Sequence, residues 1–323
     1  MSGIEKFQTF VIILAVGVGL LLGQFELIKV YAEYLIVPSL AAMLYGLFLS
    51  VPIKDLTKAF KNKRFAFGSL AVNFLWTPIL AWVLGYLLLS EHPYLWIGFI
   101  MLMITPCTDW YLVFTQTAKG NVALSTAILP INLILQLILL PLFLFLFIGV
   151  SGNVDPSGIW KSILIVVVIP FLLAQLTRSK ALNQNRKISL NQKLMPFFTK
   201  AQLAFLCLAI SAMFATQGEY LIGNKEMLYL MLLPMLAFFL INFFFSQIIG
   251  QILKFSYQDK VSLSMTTLAR NSPISLAIAV TAFPDKPLIA LALIIGPLIE
   301  LPVLVVISQT FLFLKKKKQF FLG

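Results

Sequence analysis

Ten apolar segments follow one another along the 323-residue chain, and short polar loops separate them. A helix needs about 20 apolar residues to cross the ~30 Å hydrocarbon core of a bilayer. Because 60% of the residues are hydrophobic and only 11% are charged, no soluble globular class fits. The sequence therefore predicts an all-α integral membrane protein of ten transmembrane helices. The predicted spans are approximately 7–23, 29–52, 66–89, 94–117, 121–149, 159–177, 197–216, 228–252, 261–283 and 287–313.

The basic residues are distributed unevenly between alternate loops. Most of the 24 fall in loops on the side of the two termini, and the opposite side carries Lys29, Lys161, Lys225 and Lys286. Basic residues in short loops orient a membrane protein, so the net charge of +12 does not indicate a nucleic-acid partner. We expect a multi-pass protein of the cell (plasma or inner) membrane, surrounded by the lipid bilayer, with both termini in the cytoplasm.

The two halves of the chain, 1–150 and 151–323, resemble each other weakly. Pro130 in span five and Pro297 in span ten occupy corresponding positions in similar apolar sequences. Five spans per half is an odd number, so the second half must insert upside down. Inverted repeats are typical of secondary transporters. We expect spans 1–5 and 6–10 to form two inverted repeats within one transmembrane domain.

Span nine carries a single charged residue, Arg270, near the centre of residues 261–283. A guanidinium keeps its proton in proteins, and at bilayer depth it costs at least ~2.5 kcal/mol. Asn271, Ser272 and Pro273 follow it directly. Intramembrane ionisable residues are usually functional, and the alternative is an arginine paired inside the bundle for packing alone.

Spans four and nine correspond in the two halves, and both contain a proline beside polar residues. Span four has Thr105, Pro106, Cys107, Thr108 and Asp109 at its middle. Proline removes a backbone hydrogen bond, so the sequence predicts an interruption in each helix. Two crossed, broken helices would present half-helix ends to a shared midplane site. Two ordinary proline kinks are the alternative.

Three ionisable residues lie at membrane depth, namely Asp109, Arg270 and Glu300. If Arg270 pairs with one carboxylate, the other is free to titrate, which suits proton coupling. Cys107, beside the break, is either a small packing residue or a thiol for a soft, thiophilic solute. With Cys207 it suggests neither a disulfide framework nor a metal cluster, so we expect no cofactor.

Two sequence blocks resemble a known family. Residues 105–110 (TPCTDW) and 118–125 (AKGNVALS) are similar to span four and its exit in the bile acid:sodium symporter superfamily. Residues 269–280 and 296–303 resemble its arsenic-resistance branch, which includes arsenite permeases. The resemblance implies panel and core helices, a site at the broken helices four and nine, and alternating access. It also implies roles for Cys107 and Glu300, which match a cysteine and a glutamate on which such permeases depend.

The same resemblance bears on the coupling ion. Sodium-coupled members carry a Glu and a Gln just before an Asn-Ser pair in span nine, where this chain has Thr266 and Arg270. Of the span-four to span-five ligands of those members, Ser125 is kept, and the Ser-Asn pair is not evident. We therefore favour protons over sodium. Asp109 and Pro273 depart from the arsenite-permease pattern, so a sister group with another substrate is an alternative.

Three functions follow from these patterns. The first is proton-coupled efflux of arsenite or a related oxyanion, and the second is symport of a small organic anion whose carboxylate Arg270 holds. The third is a membrane sensor or scaffold without transport. An enzyme is not expected, because no nucleophile–base pair is readable. The predicted substrate- or ion-binding residues are Thr105, Cys107, Thr108, Asp109, Ser125, Asn132, Arg270, Asn271, Ser272 and Glu300.

Overall fold

The computed structural model describes residues 3–50, 61–108, 110–148, 156–183, 195–223 and 226–322. These ranges are helical and contain no strand, apart from one isolated bridge between Pro106 and Arg270. The all-α class predicted from the sequence is confirmed.

The helices are numbered here in chain order, with the bounds that follow. They are α1 (Gly3–Leu22), α2 (Glu26–Ser50), α3 (Lys63–Leu89), α4 (Pro93–Met103), α5 (Trp110–Thr117), α6 (Val122–Ile148), α7 (156–183), α8 (Met195–Gly223), α9 (Glu226–Ile252), α10 (Tyr257–Leu268), α11 (Ser272–Ala282) and α12 (Pro287–Leu322). One turn of π-helix lies within α3 at Val72–Trp76, and another within α7 at Leu164–Val168.

Six helices of the described ranges are long and apolar enough to cross a membrane. They are α2, α3, α6, α7, α9 and α12, and shorter apolar helices occur in α1, α4, α8 and α11. The chain is thus a multi-pass membrane protein. The count of ten spans and the inverted repeats stay predictions.

The spans predicted at 94–117 and 261–283 are each built from two helices. In the first, α4 ends at Met103 and α5 begins at Trp110. In the second, α10 ends at Leu268 and α11 begins at Ser272. Both interruptions lie beside the prolines that the sequence singled out.

The chain forms two compact units. The first consists of Met1–Val51, Asn153–Met227 and Pro273–Ile294. Within it, α1 packs closely on α8 at two glycines that leave no room for a side chain. A Cβ at Gly19 would lie 2.5 Å from the Ser211 carbonyl oxygen, and a Cβ at Gly23 would lie 2.6 Å from the Ala215 carbonyl oxygen. Small residues one turn apart allow such close backbone approach in membranes.

The second unit consists of Pro52–Gly152, Leu228–Ser272 and Ile295–Gly323, and it contains most of the predicted site. Its apolar core joins Phe65 of α3, Ile128 of α6 and Leu263 of α10. The start of α6 is tied to α10 by the Asn121 amide, which donates to the Gln258 carbonyl over 3.1 Å. This packing holds α10, and hence its broken end, against α3 and α6.

Candidate functional site

The two interruptions lie side by side within the second unit, and we call residues 104–108 and 269–271 the crossing. The Cys107 amide donates to the Ala269 carbonyl over 2.9 Å, and the Asn271 amide donates to the Thr105 carbonyl over 2.7 Å. Backbone groups freed by one break are therefore satisfied by the other. Irregular backbone at membrane depth needs this kind of internal pairing.

Side chains reinforce the crossing. The Thr105 hydroxyl donates to the carbonyls of Met101 and Leu102, at 3.0 Å each, and so covers the end of α4. The Asn271 amide donates to the Thr108 hydroxyl over 3.1 Å. The threonines and Asn271 are buried. Thr105, Thr108 and Asn271, three predicted site residues, are thus brought together.

The C-terminal end of α10 is fully capped. The last four carbonyls of a helix have no partner inside it. Here the donors are the Ala269 amide to Met265 (3.1 Å), Asn73 Nδ2 to Thr266 (3.3 Å), Asn242 Nδ2 to Thr267, and Arg270 Nε to Leu268 (3.1 Å).

The guanidinium of Arg270 joins the ends of two half-helices. Besides Leu268, it donates through Nη1 to the Met103 carbonyl at the end of α4 over 2.8 Å, and through Nη2 to the Thr267 carbonyl and, over 3.3 Å, to Asn73 Oδ1. The side chain is 3% exposed. Helix C-termini carry partial negative charge, so this one buried cation stabilises the C-terminal ends of both α4 and α10.

Glu300 of α12 meets the same residue from another direction. Its Oε1 accepts a hydrogen bond from the Arg270 main-chain amide over 2.9 Å, and the carboxylate is 4% exposed. Gly296, one turn earlier, lets α12 come close to α4, because a Cβ there would lie 2.5 Å from Leu102 Cδ2. The Glu300 carboxylate therefore contacts the main chain of Arg270, while the guanidinium of the same residue caps α4 and α10.

Cys107 lies inside the crossing and is 3% exposed. Its neighbour Pro106 forms the isolated bridge with Arg270, and its own amide is hydrogen-bonded to Ala269, so the residue lies directly beside Arg270. Cys207, by contrast, lies on α8 in the first unit and is half-buried. The chain thus offers one cysteine within the crossing and a second one outside it.

The remaining predicted residues differ in position. The Ser125 carbonyl accepts a hydrogen bond from the Tyr111 hydroxyl over 2.5 Å, which joins α6 to α5. Asn132 is completely buried on α6. Neither its side-chain Oδ1 nor its Nδ2 has a hydrogen-bond partner in the described part of the chain. Ser272 begins α11 and is buried. Asp109 lies outside the described residues, so its pairing with Arg270 stays a prediction.

Three residues at the site were not singled out in the sequence. Asn73 bridges Arg270 and the Thr266 carbonyl, Asn242 caps Thr267, and the ring of Phe238 lies 5.4 Å from the guanidinium carbon. The sequence feature that could have indicated Asn73 and Asn242 is that each is a polar residue within an apolar span. Within the described ranges, no group of three or more His, Cys, Asp or Glu side chains is arranged to hold a metal ion.

Comparison with known proteins identifies one family and several relatives that this chain resembles. The model of the Sodium Bile acid symporter family matches residues 37–224. An arsenical-resistance protein of Corynebacterium glutamicum is 25% identical over 98% of this chain and 91% of its own length. An uncharacterized transporter of Synechocystis is 25% identical over 94% and 87%. A probable chloroplastic sodium/metabolite cotransporter of Oryza sativa subsp. japonica is 29% identical over 50% and 39%.

Proposed function

The chain belongs to the Sodium Bile acid symporter family, and from that premise we propose that it exports arsenite or a related oxyanion by proton-coupled alternating access. Its relatives are named as transporters or as arsenical-resistance proteins rather than as enzymes. The fold that goes with this proposal has ten spans in two inverted repeats, 1–150 and 151–323. Both termini lie in the cytoplasm of a cell that carries the protein in its plasma or inner membrane.

The observation that carries the coupling proposal is that the Arg270 guanidinium occupies carbonyl and amide oxygens at the crossing. Carbonyl and amide oxygens are ligands for hard cations. In this chain the oxygens of Met103, Thr267, Leu268 and Asn73 accept from the Arg270 guanidinium. A covalently attached cation cannot be transported, so these oxygens are not available to a coupling sodium ion.

Glu300 is the proposed proton carrier. Burial favours the neutral form of a carboxylic acid, and the neighbouring guanidinium favours the charged form. Its Oε1 accepts from the Arg270 amide, so a rearrangement at Arg270 would change what the carboxylate contacts. A carrier that alternates between two arrangements of the crossing would therefore bind a proton in one and release it in the other.

Cys107 is the proposed substrate contact. Thiols prefer soft ions, and trivalent arsenic is thiophilic. The residue lies between the hydroxyl-bearing Thr105 and Thr108, whose oxygens suit a hydroxylated solute. An arsenical-resistance protein among the relatives supports this class of substrate.

Symport of a small organic anion is the second candidate, and one observation weakens it. A guanidinium has five N–H donors, and Arg270 directs hydrogen bonds from Nε, Nη1 and Nη2 to protein oxygens. Four of the five are used in this way, and bidentate binding of a carboxylate needs two, so at least one of these bonds would first have to break. The relation to a sodium/metabolite cotransporter keeps this candidate in the assay below.

A flux assay in liposomes separates the candidates. Purified protein is reconstituted, and proton and sodium gradients are imposed separately with arsenite or with a panel of carboxylates. We expect arsenite flux that follows the proton gradient and is indifferent to sodium. Sodium-driven flux of a carboxylate, with arsenite static, would replace the first candidate by the second. Binding without flux would favour a sensor or scaffold.

A further inference from the structure

A long apolar groove on the second unit runs between α3 and α9. Its volume is about 700 Å³, and one of its ends is formed by Lys63 and Arg64. Beyond them the walls are apolar, with Phe67, Leu75 and Ile252 each about two-thirds exposed. None of the residues that line the groove belongs to the crossing.

The charged end of the groove is the start of a helix. Lys63 and Arg64 are the first residues of α3, and both are exposed. The positive end of the helix dipole disfavours cations at this position, so these two residues are placed against the local preference of the helix. An anion held between them would be attracted by both side chains and by the dipole. The groove lining includes no acidic residue.

The rest of the groove selects the kind of anion. Lys63 and Ile79 both line it, and 16 residues of helix at 1.5 Å per residue separate them by about 24 Å. Half of a ~30 Å hydrocarbon core is about 15 Å deep. A small soluble anion would leave this apolar length unfilled, whereas an acyl chain would cover it.

We propose that the groove binds one anionic phospholipid, with its phosphate at Lys63 and Arg64 and one acyl chain along α3 and α9. Basic pockets between membrane helices are known to recognise lipid headgroups. This site is independent of the transported substrate, so it stands or fails separately from the proposed function.

Native mass spectrometry of the full-length protein in detergent tests the assignment. The ligands are phosphatidylglycerol, phosphatidylcholine with the same acyl chains, and inorganic phosphate. We expect one phosphatidylglycerol to be retained, with at least tenfold preference over phosphatidylcholine and no response to phosphate. Lys63→Gln with Arg64→Gln should reduce retention about tenfold, while the charge-matched pair Lys119→Gln with Lys161→Gln should leave it unchanged.

A second variant fills the groove without altering its charge. Ala71 lines the groove and is exposed, so Ala71→Trp adds volume there without disturbing the core. We expect it to abolish retention while the circular dichroism spectrum stays that of the wild type. Equal retention of both lipids, an equal effect of phosphate, or equal loss in both charge pairs would overturn the proposal. A dimer that Ala71→Trp dissociates would also overturn it, since the groove would then hold a second copy of the chain.

Discussion

The guanidinium Nη1 of Arg270 donates to the main-chain carbonyl of Met103 over 2.8 Å, and this bond ties the end of α4 to the end of α10. Both helix ends are partially negative, and both lie in an apolar span. A mobile cation would satisfy these oxygens only while bound. The arginine satisfies them in every state in which the crossing is intact.

Arg270→Leu should be strongly destabilising. It leaves the carbonyls of Met103 and Leu268 without their donors, at about 1–3 kcal/mol for each buried group. Arg270→Lys keeps the charge but cannot reach all four acceptors, so we expect an intermediate loss. The midpoint of thermal unfolding in detergent, followed by size-exclusion chromatography, should fall in the order wild type, Lys, Leu. A Leu variant as stable as the wild type would show that the guanidinium caps nothing.

Cys107→Ala should abolish arsenite export, because it removes the proposed thiol contact. Cys207→Ala is the matched control, since it deletes a thiol outside the crossing. Cellular arsenic in a sensitive host should rise to the level of the empty vector with the first variant only. Export that survives Cys107→Ala would remove the thiol from the substrate site.

Glu300→Gln should separate transport from proton coupling. Glutamine Oε1 can still accept from the Arg270 amide, so the crossing should keep its shape. We expect proton-driven arsenite flux in liposomes to fall at least tenfold, while arsenite–arsenite exchange without a gradient persists. Unchanged proton-driven flux would assign the proton to another group.

Gly296→Val should disturb the crossing through Leu102, because a Cβ at Gly296 already lies 2.5 Å from Leu102 Cδ2. Overpacking of a buried contact costs about 1–3 kcal/mol. Leu102→Ala removes the clashing atoms and should rescue the variant in part. A double-mutant cycle on thermal stability should give a coupling of about 1 kcal/mol or more. Strict additivity would mean that the helices separate freely at this point.

The two helix breaks were predictable from the sequence, although proline alone does not explain them. α6 continues through Pro130 and Pro141, and α12 continues through Pro297 and Pro302. What distinguishes the broken spans is a proline beside hydroxyl groups and a charge. Charged groups at membrane depth pair with one another or with backbone carbonyls, and in span nine the carbonyls at the break receive Arg270.

The partners of Arg270 were not predictable in the same way. The sequence around a single asparagine such as Asn73 does not indicate which helix its side chain will contact. Its contact depends on the packing of α3 against α10, and Asn73 lies within the π-turn that begins at Val72. The acceptors Met103 and Leu268 contribute main-chain carbonyls, which no residue type reveals.

Whether Arg270 excludes sodium from the crossing is measured most directly by the effect of sodium on thermal stability before and after Arg270→Gln. Thr266→Glu is added in a second variant, because the resemblance to sodium-coupled members implies a Glu in place of Thr266 and a Gln in place of Arg270. We expect sodium to leave the unfolding midpoint of the wild type unchanged relative to potassium and to raise that of the double variant by several degrees. Stabilisation of the wild type by sodium would contradict it, because the cation position would then be open despite the arginine.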